Sequence, residues 1–515
     1  MDLRAKLERL KAAKAAQAAR QAPSTASQPD APVETAPQAT ESSHARGTSE
    51  AKRESRERLL ATLGGKVFRA SALLAPSAPP RLPATPPSDP LELLANAERI
   101  DTAGGPAIRV THRLSLKPDT APPANSGDDK YVFPFRDAAA ELTAQDVLAV
   151  GHDAAFEGIG PRDILFLDIE TTGLAGGVGT YAFLVGLGWL EDDALVVEQY
   201  FMEDYDREAG VMAAVAERIR QFRALATYNG KRFDIPLLQT RFHFNAVSHR
   251  LDAPDLDLLY PARRVWKLSL PDCSLGTIEE RVLKLGRRHS DVPGQLVPQI
   301  FFDFVRGLRR ERIIPVFDHN AQDIISLAGL LGLLGRLTRR PECAPLEHPL
   351  EWVGLAALLE QGGHSSQTIE CLEQGLLRAR DGRTIFQISS RIARLYVRQQ
   401  RYDDASGIWE SHVIRPKPYN LPAFISLAKH LEHRAKDFER ALSVVEQARA
   451  FCEAQSALLA DLSRREEAAD LRRHLADLLK RQTRLQSRLA RQSKGAKAAE
   501  QRRESKNARE KGLDL

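Results

Sequence analysis

Two carboxylates two residues apart in an otherwise apolar run, Asp168 and Glu170 in ILFLDIETTGL, are the strongest chemical signal in the chain. On a β-strand an i, i+2 spacing turns both side chains to one face. Two acids aimed together repel each other unless a cation stands between them, and hard divalent ions such as Mg²⁺ and Mn²⁺ take oxygen ligands of this kind. Thr171, Thr172 and Gly173 end the strand and leave the pair at its exposed end. A bare Asp-x-Glu is more often a solvated strand end, because so short a pattern arises by chance. The surrounding sequence has to decide.

The elements that would hold such a pair are legible in the apolar periodicity. TYAFLVGLGWL and ALVVEQYFM read as two more strands, EAGVMAAVAERIRQF as a helix, ALATYNG as a strand entering a glycine turn and PLLQTRFHFN as a helix. Three strands in succession, then helix–strand–helix alternation, predict a mixed sheet with helices packed on it. Residues 320–338 read as a long apolar helix, and nearly everything from about 347 to 490 as further helices. Small residues at Ala428, Ala441 and Ala448, and Tyr396, Tyr402 and Ala405 around another turn, give helix pairs that resemble tetratricopeptide repeats. The expected organisation is a mostly disordered Pro-rich and basic region over 1–90, an ordered lead-in over 91–160, an α/β domain over 161–340, a helical-repeat region over 345–480 and a basic tail over 481–515. Residues 480–515 hold 12 Lys/Arg against 4 Asp/Glu, and that tail is expected to be helical at first and frayed at its end.

With these elements around it, DIETTGL resembles the first motif of the DEDD exonucleases, a group of proofreading and RNA-trimming enzymes. ATYNGKRFDIPLL, with Asn229 and Asp234, is similar to the second motif as it occurs in family-B polymerase exonuclease domains. The third motif of the group sets an acid one helical turn after a Tyr or His, and His319 and Asp323 lie four apart. That spacing belongs to the Tyr-type subgroup, so Asp323 carries the assignment. His319 stays open between general base, substrate contact and helix cap. Between the second and third motifs, the run from Asp257 to Trp266, the piece Ser274-Leu275-Gly276-Thr277-Ile278-Glu279 and Asp291-Val292-Pro293-Gly294 resemble the ribonuclease H-like domain of the bacterial YprB type. SLAKHLEHRAKDFERAL resembles the helical tail that follows it. The resemblance implies an α/β ribonuclease H-like mixed sheet with flanking helices, followed by an all-α region. It also implies phosphodiester hydrolysis with two Mg²⁺ or Mn²⁺ ions about 4 Å apart. Asp168 would bridge both ions, Glu170 and Asp323 would hold one, and Asp234 would help hold the other through water.

Other residues have plainer roles open to them. Asp257, near Asp255, fits a strand–helix junction or a partner that orients a ligand better than a direct ligand. Tyr228 and Phe233 could stack on terminal bases, although packing of the strand–helix corner suits Phe233 better. Arg263, Arg264 and Lys267 beside Trp266 could track a phosphate backbone, or form a solvated face. Asn229, Tyr228, Phe233 and Arg264 are therefore the nucleic-acid contact candidates. Gly176-Gly177-Val178-Gly179 lacks the ending of a phosphate loop and reads as a hairpin-like turn. A net charge of +5 permits an acidic partner without demanding one. The four cysteines are widely spaced and read as free thiols. With no secretory signal and no apolar span, a cytoplasmic location is expected. The function expected is a nuclease on single-stranded DNA or RNA, with 3′–5′ exonuclease action first. A structure-selective endonuclease and a non-catalytic scaffold, binding a protein through the helical repeats, are the alternatives.

Overall fold

The computed structural model describes residues 89–117, 128–173, 179–249, 251–286, 292–461 and 465–511. The expected disorder of 1–90, save its last two residues, the turn at Gly176 to Val178, and Asp291 lie outside them.

Seven strands form one sheet: β1 (Ala97–Thr102), β2 (Gly105–Ser115), β3 (Ile164–Thr171), β4 (Ala182–Leu190), β5 (Ala194–Phe201), β6 (Ala224–Thr227) and β7 (Asp255–Asp257). Their spatial order is β1-β2-β5-β4-β3-β6-β7. Neighbours from β1 to β3 run antiparallel, whereas β6 lies parallel to β3 and β7 parallel to β6. The sheet is mixed, as the sequence predicts. The lead-in is not separate from it: β1 and β2 extend the same sheet by two strands. The three-residue β7 is too short for an apolar period to reveal, and it falls where the sequence suggests a strand–helix junction.

Alternation along β3 sorts its side chains onto two faces. Leu165, Leu167 and Ile169 enter a core with Val211, Val215, Leu238 and Phe242 from the helices Glu208–Ile219 and Asp234–Phe244. Phe166 enters the opposite core with Ile324, Leu327 and Leu331 of the long helix Ile314–Arg339. Asp168 and Glu170 share the face of Phe166. The long helix thus lies over the acids.

That helix approaches the sheet closely because β4 presents glycine there. A Cβ on Gly186 would stand 2.4 Å from Asn320 Oδ1, and one on Gly188 2.4 Å from Ile324 Cγ2. No other residue type leaves room for the helix at this distance.

After Arg339 the chain is helical. The helices Pro349–Gln361, Ser365–Arg378, Gly382–Arg398, Tyr402–Val413, Leu421–His430 and Phe438–Asp461 follow one another, and Ala405, Ala428, Ala441 and Ala448 are fully buried at the crossings. A final helix runs from Arg465 to Lys511. Leu471, Leu478 and Leu485, seven residues apart, pack it on the preceding helices. Glu432, wholly buried, accepts from Arg481 Nη1 at 2.5 Å and from Arg484 Nε at 2.7 Å and Nη2 at 2.9 Å. Burial would raise its pKa, but Arg484 and Arg481 hold it below the ordinary glutamate value. The first part of the basic tail is therefore structural, past the expected boundary at 480. The helix continues to Lys511 where fraying was expected; its Ala, Arg, Lys, Gln and Glu content favours helix throughout. Among the described residues no helix is long and apolar enough to cross a membrane.

Candidate metal centre

Asp168 and Glu170 sit near the end of β3, where the pairing to β4 shifts register between Glu170 and Thr171. Such a bulge sharpens the local twist and re-aims the side chains beside it. Asp234 is the first residue of the helix Asp234–Phe244, reached from β6 through a turn in which Asn229 takes φ 67°. Asn tolerates that left-handed conformation better than most residues. The buried Asp257 carboxylate fixes the turn, its Oδ1 accepting from the backbone N–H of Asn229 at 2.7 Å and of Leu259 at 3.1 Å. Asp257 is therefore a junction residue, as its sequence setting suggests. Asp323 and His319 come from the long helix, His319 Nδ1 lying 3.7 Å from Asp323 Oδ1.

The electrostatics show that these elements bring the four acids together. Burial, then the charge of Asp323, pushes the Asp168 carboxyl up to about 8, while His319 and the Asn320 amide pull it down. Burial first, and then Asp168, Asp323 and Asp234, hold Glu170 well above the ordinary glutamate value. Burial and the charge of Asp168 do the same for Asp234. Each shift is the cost of ionising a desolvated carboxyl among others. Among the described residues no three His, Cys, Asp or Glu side chains form a ready-made coordination shell. The acids stand within electrostatic reach of one another. The donor set fits a hard divalent cation: all oxygen, desolvated and mutually repelling.

Three residues of this site carry no expectation from the sequence. Glu279 adds its charge to Asp168, and its Oε1 accepts from Ser326 Oγ at 2.5 Å. Its place in the Ser274–Glu279 piece was the available signal. Asn320 Nδ2 donates to Asp168 Oδ2 at 2.8 Å. Asn320 Oδ1 accepts from Gln199 Nε2 at 2.9 Å, and the same Nε2 donates to the Phe317 carbonyl at 2.9 Å. Neither amide had any local sequence signal.

The contact candidates divide. Tyr228 is half-buried against the core, and its hydroxyl donates to the Cys273 carbonyl at 2.7 Å. Phe233 is 55% exposed. The expected roles are reversed: the tyrosine packs the strand–helix corner and the phenylalanine stands clear of it. The reason lies in the turn: Tyr228 directly follows β6, whereas Phe233 stands at its far end, just ahead of the helix Asp234–Phe244. Arg264 lines a cavity of about 420 Å³ beyond β7, with Lys231, Asp255, Tyr260 and His152. Leu358 and Gln361 of the first C-terminal helix close its far side.

A family model described as the RNase H superfamily matches residues 165–334, which hold all four acids. The uncharacterized protein YprB of Bacillus subtilis (strain 168) is 30% identical over 321 residues, 61% of this chain and 76% of YprB.

Proposed function

Since the chain belongs to the RNase H superfamily and is a homologue of YprB, we propose that it is a divalent-metal-dependent nuclease that trims single-stranded DNA or RNA from the 3′ end. The observation that carries this reading is the placement of Asp168 and Glu170 on one face of β3 beneath the long helix that bears Asp323, within the residues that the RNase H superfamily model matches. Four desolvated acids kept at one place are a standing cost to the fold, which a cation offsets.

Asp168, Glu170, Asp323 and Asp234 would hold the Mg²⁺ or Mn²⁺ ions. When bound, such ions polarise the phosphoryl oxygens and make the attacking water more acidic. The protein's own part is positional. The β3 carboxylates fix the floor of the site and the long helix its roof. His319, whose Nδ1 lies 3.7 Å from Asp323 Oδ1, would take the proton from the attacking water. Phe233 offers an exposed ring to a terminal base, Asn229 lies in the turn beside it, and Arg264 offers a guanidinium to the strand's phosphates. The 3′ polarity follows the DEDD resemblance.

The test is hydrolysis of end-labelled single-stranded and duplex DNA and RNA by the full chain with Mn²⁺, Mg²⁺ or EDTA. A ladder from the 3′ end that EDTA abolishes supports the proposal. Discrete internal cuts would replace exonuclease by endonuclease. Folded protein that cleaves nothing would leave the scaffold reading.

The basic end of the final helix gives a second expectation. Arg488 approaches Glu432, and beyond the half-buried Leu489 the described side chains are exposed. Deleting 490–515 is expected to weaken oligonucleotide binding most at low salt and to flatten its salt dependence, by about 0.7 log units per decade of salt for each phosphate no longer neutralised. An unchanged slope in a fluorescence-anisotropy titration would refute this. Deleting 480–515 instead strips Arg481 and Arg484 from the buried Glu432. That should destabilise the helical region by roughly 3–5 kcal/mol.

A further inference from the structure

We infer that Asn320 and Gln199 form a positioning relay that presents Asp168 to the metal in one fixed orientation. This rests on the metal-centre reading above and adds two residues that contribute no charge to it.

The direction of each hydrogen bond fixes the next. The Phe317 carbonyl can only accept, so the Gln199 atom facing it is the amide nitrogen. That nitrogen also faces one atom of the Asn320 amide at 2.9 Å, which must then be the acceptor Oδ1. The remaining Asn320 atom, Nδ2, is thereby turned on Asp168 Oδ2 at 2.8 Å, with the Asp168 carbonyl at 3.4 Å. Asn320 and Gln199 are both fully buried, so neither amide can rotate into water. Gln199 Oε1 has no hydrogen-bond partner among the described residues, although it is buried. The site tolerates an unsatisfied carbonyl to keep the donor end of this glutamine in place.

The choice of amides is chemically apt. A lysine or arginine at position 320 would neutralise Asp168 and compete with a metal ion for it. A carboxylate would add repulsion. An amide N–H grips one oxygen of Asp168 without supplying charge and leaves Oδ1 for the ion. Partners of this kind that orient a ligand typically contribute ten- to a hundredfold in metal affinity.

Manganese binding to the full chain, followed by electron paramagnetic resonance titration, tests the relay apart from catalysis. Asn320→Leu, with the same branching but without a donor, is expected to raise the Mn²⁺ Kd ten- to a hundredfold. It should lower kcat while leaving KM for a single-stranded oligonucleotide within about twofold. Gln199→Met should give a smaller loss alone and no further loss in the Asn320→Leu background, because it acts only through Asn320. Should Asn320→Leu fail to fold, Asn320→Ala, which removes the donor without adding charge, replaces it, with the same loss of affinity expected. A folded Asn320 variant that binds Mn²⁺ within twofold of the parent protein overturns the relay and leaves the metal centre standing. A parent protein that binds no Mn²⁺ overturns both.

Discussion

Asp168→Asn is expected to abolish metal-dependent cleavage while making the metal-free protein more stable at alkaline pH. The loss should be at least about a thousandfold, since several kcal/mol (about 4) of charge stabilisation would depend on the ions proposed for this residue. The gain follows from the same position. In the parent protein Asp168 must ionise beside Asp323 in a desolvated setting, whereas asparagine carries no charge yet keeps an oxygen to accept from Asn320. Parallel measurements of cleavage and of melting in EDTA at pH 8.5 decide the matter. A variant that is inactive and also less stable at that pH would make Asp168 a structural residue. Active sites commonly trade stability in this way.

The second large effect is on the parent protein itself. In EDTA its melting temperature should fall as pH rises from 6 to 9, and Mn²⁺ should restore it. A carboxyl whose folded-state pKa is raised stabilises the protein fully only below its ordinary value near 4, and that contribution is lost as pH climbs through the folded value. Asp168 is pushed up to about 8. Asp255, raised chiefly by burial and lowered by the Thr227 hydroxyl, stands at about 7. The loss is thus completed across pH 6–9, the opposite of an ordinary salt-bridged carboxylate. Its size is on the order of a few kcal/mol, or several degrees of melting temperature. Mn²⁺ at a hundred times its Kd returns about 2.7 kcal/mol by mass action. Differential scanning calorimetry at pH 6 and 9, with and without the ion, reads both effects. A flat profile that Mn²⁺ leaves unmoved would remove the electrostatic basis of the site.

What the sequence makes legible is whatever local periodicity encodes. Asp168 and Glu170 announce a shared face because strands repeat every two residues, and Asp323 declares itself one turn from His319 because helices repeat every 3.6. The mixed sheet follows from three apolar runs in a row. Asn320 cannot be read in the same way. Its role depends on Gln199, 121 residues away, on Asp168, 152 residues away, and on the missing side chain of Gly186. β7 is too short to show a period. Tyr228 and Phe233 exchange their expected places because a turn, unlike a strand or helix, has no repeat from which to infer direction. The tail looks uniform in composition, yet only three-dimensional packing separates the arginines that serve Glu432 from those beyond them.

Gly186 and Gly188 bear on how such a site can be altered. Layers of packed secondary structure usually keep about 10 Å between them, and these two residues set how far the long helix may sink toward its sheet. They hold no ion and carry no proton, yet the depth of the cleft is fixed on their strand. A methyl group at Gly188 would lift the long helix and Asp323 with it, whereas one at Gly186 would also press on Asn320, the residue that orients Asp168. For redesign toward bulkier substrates, β4 is the adjusting screw and the acids are best left alone.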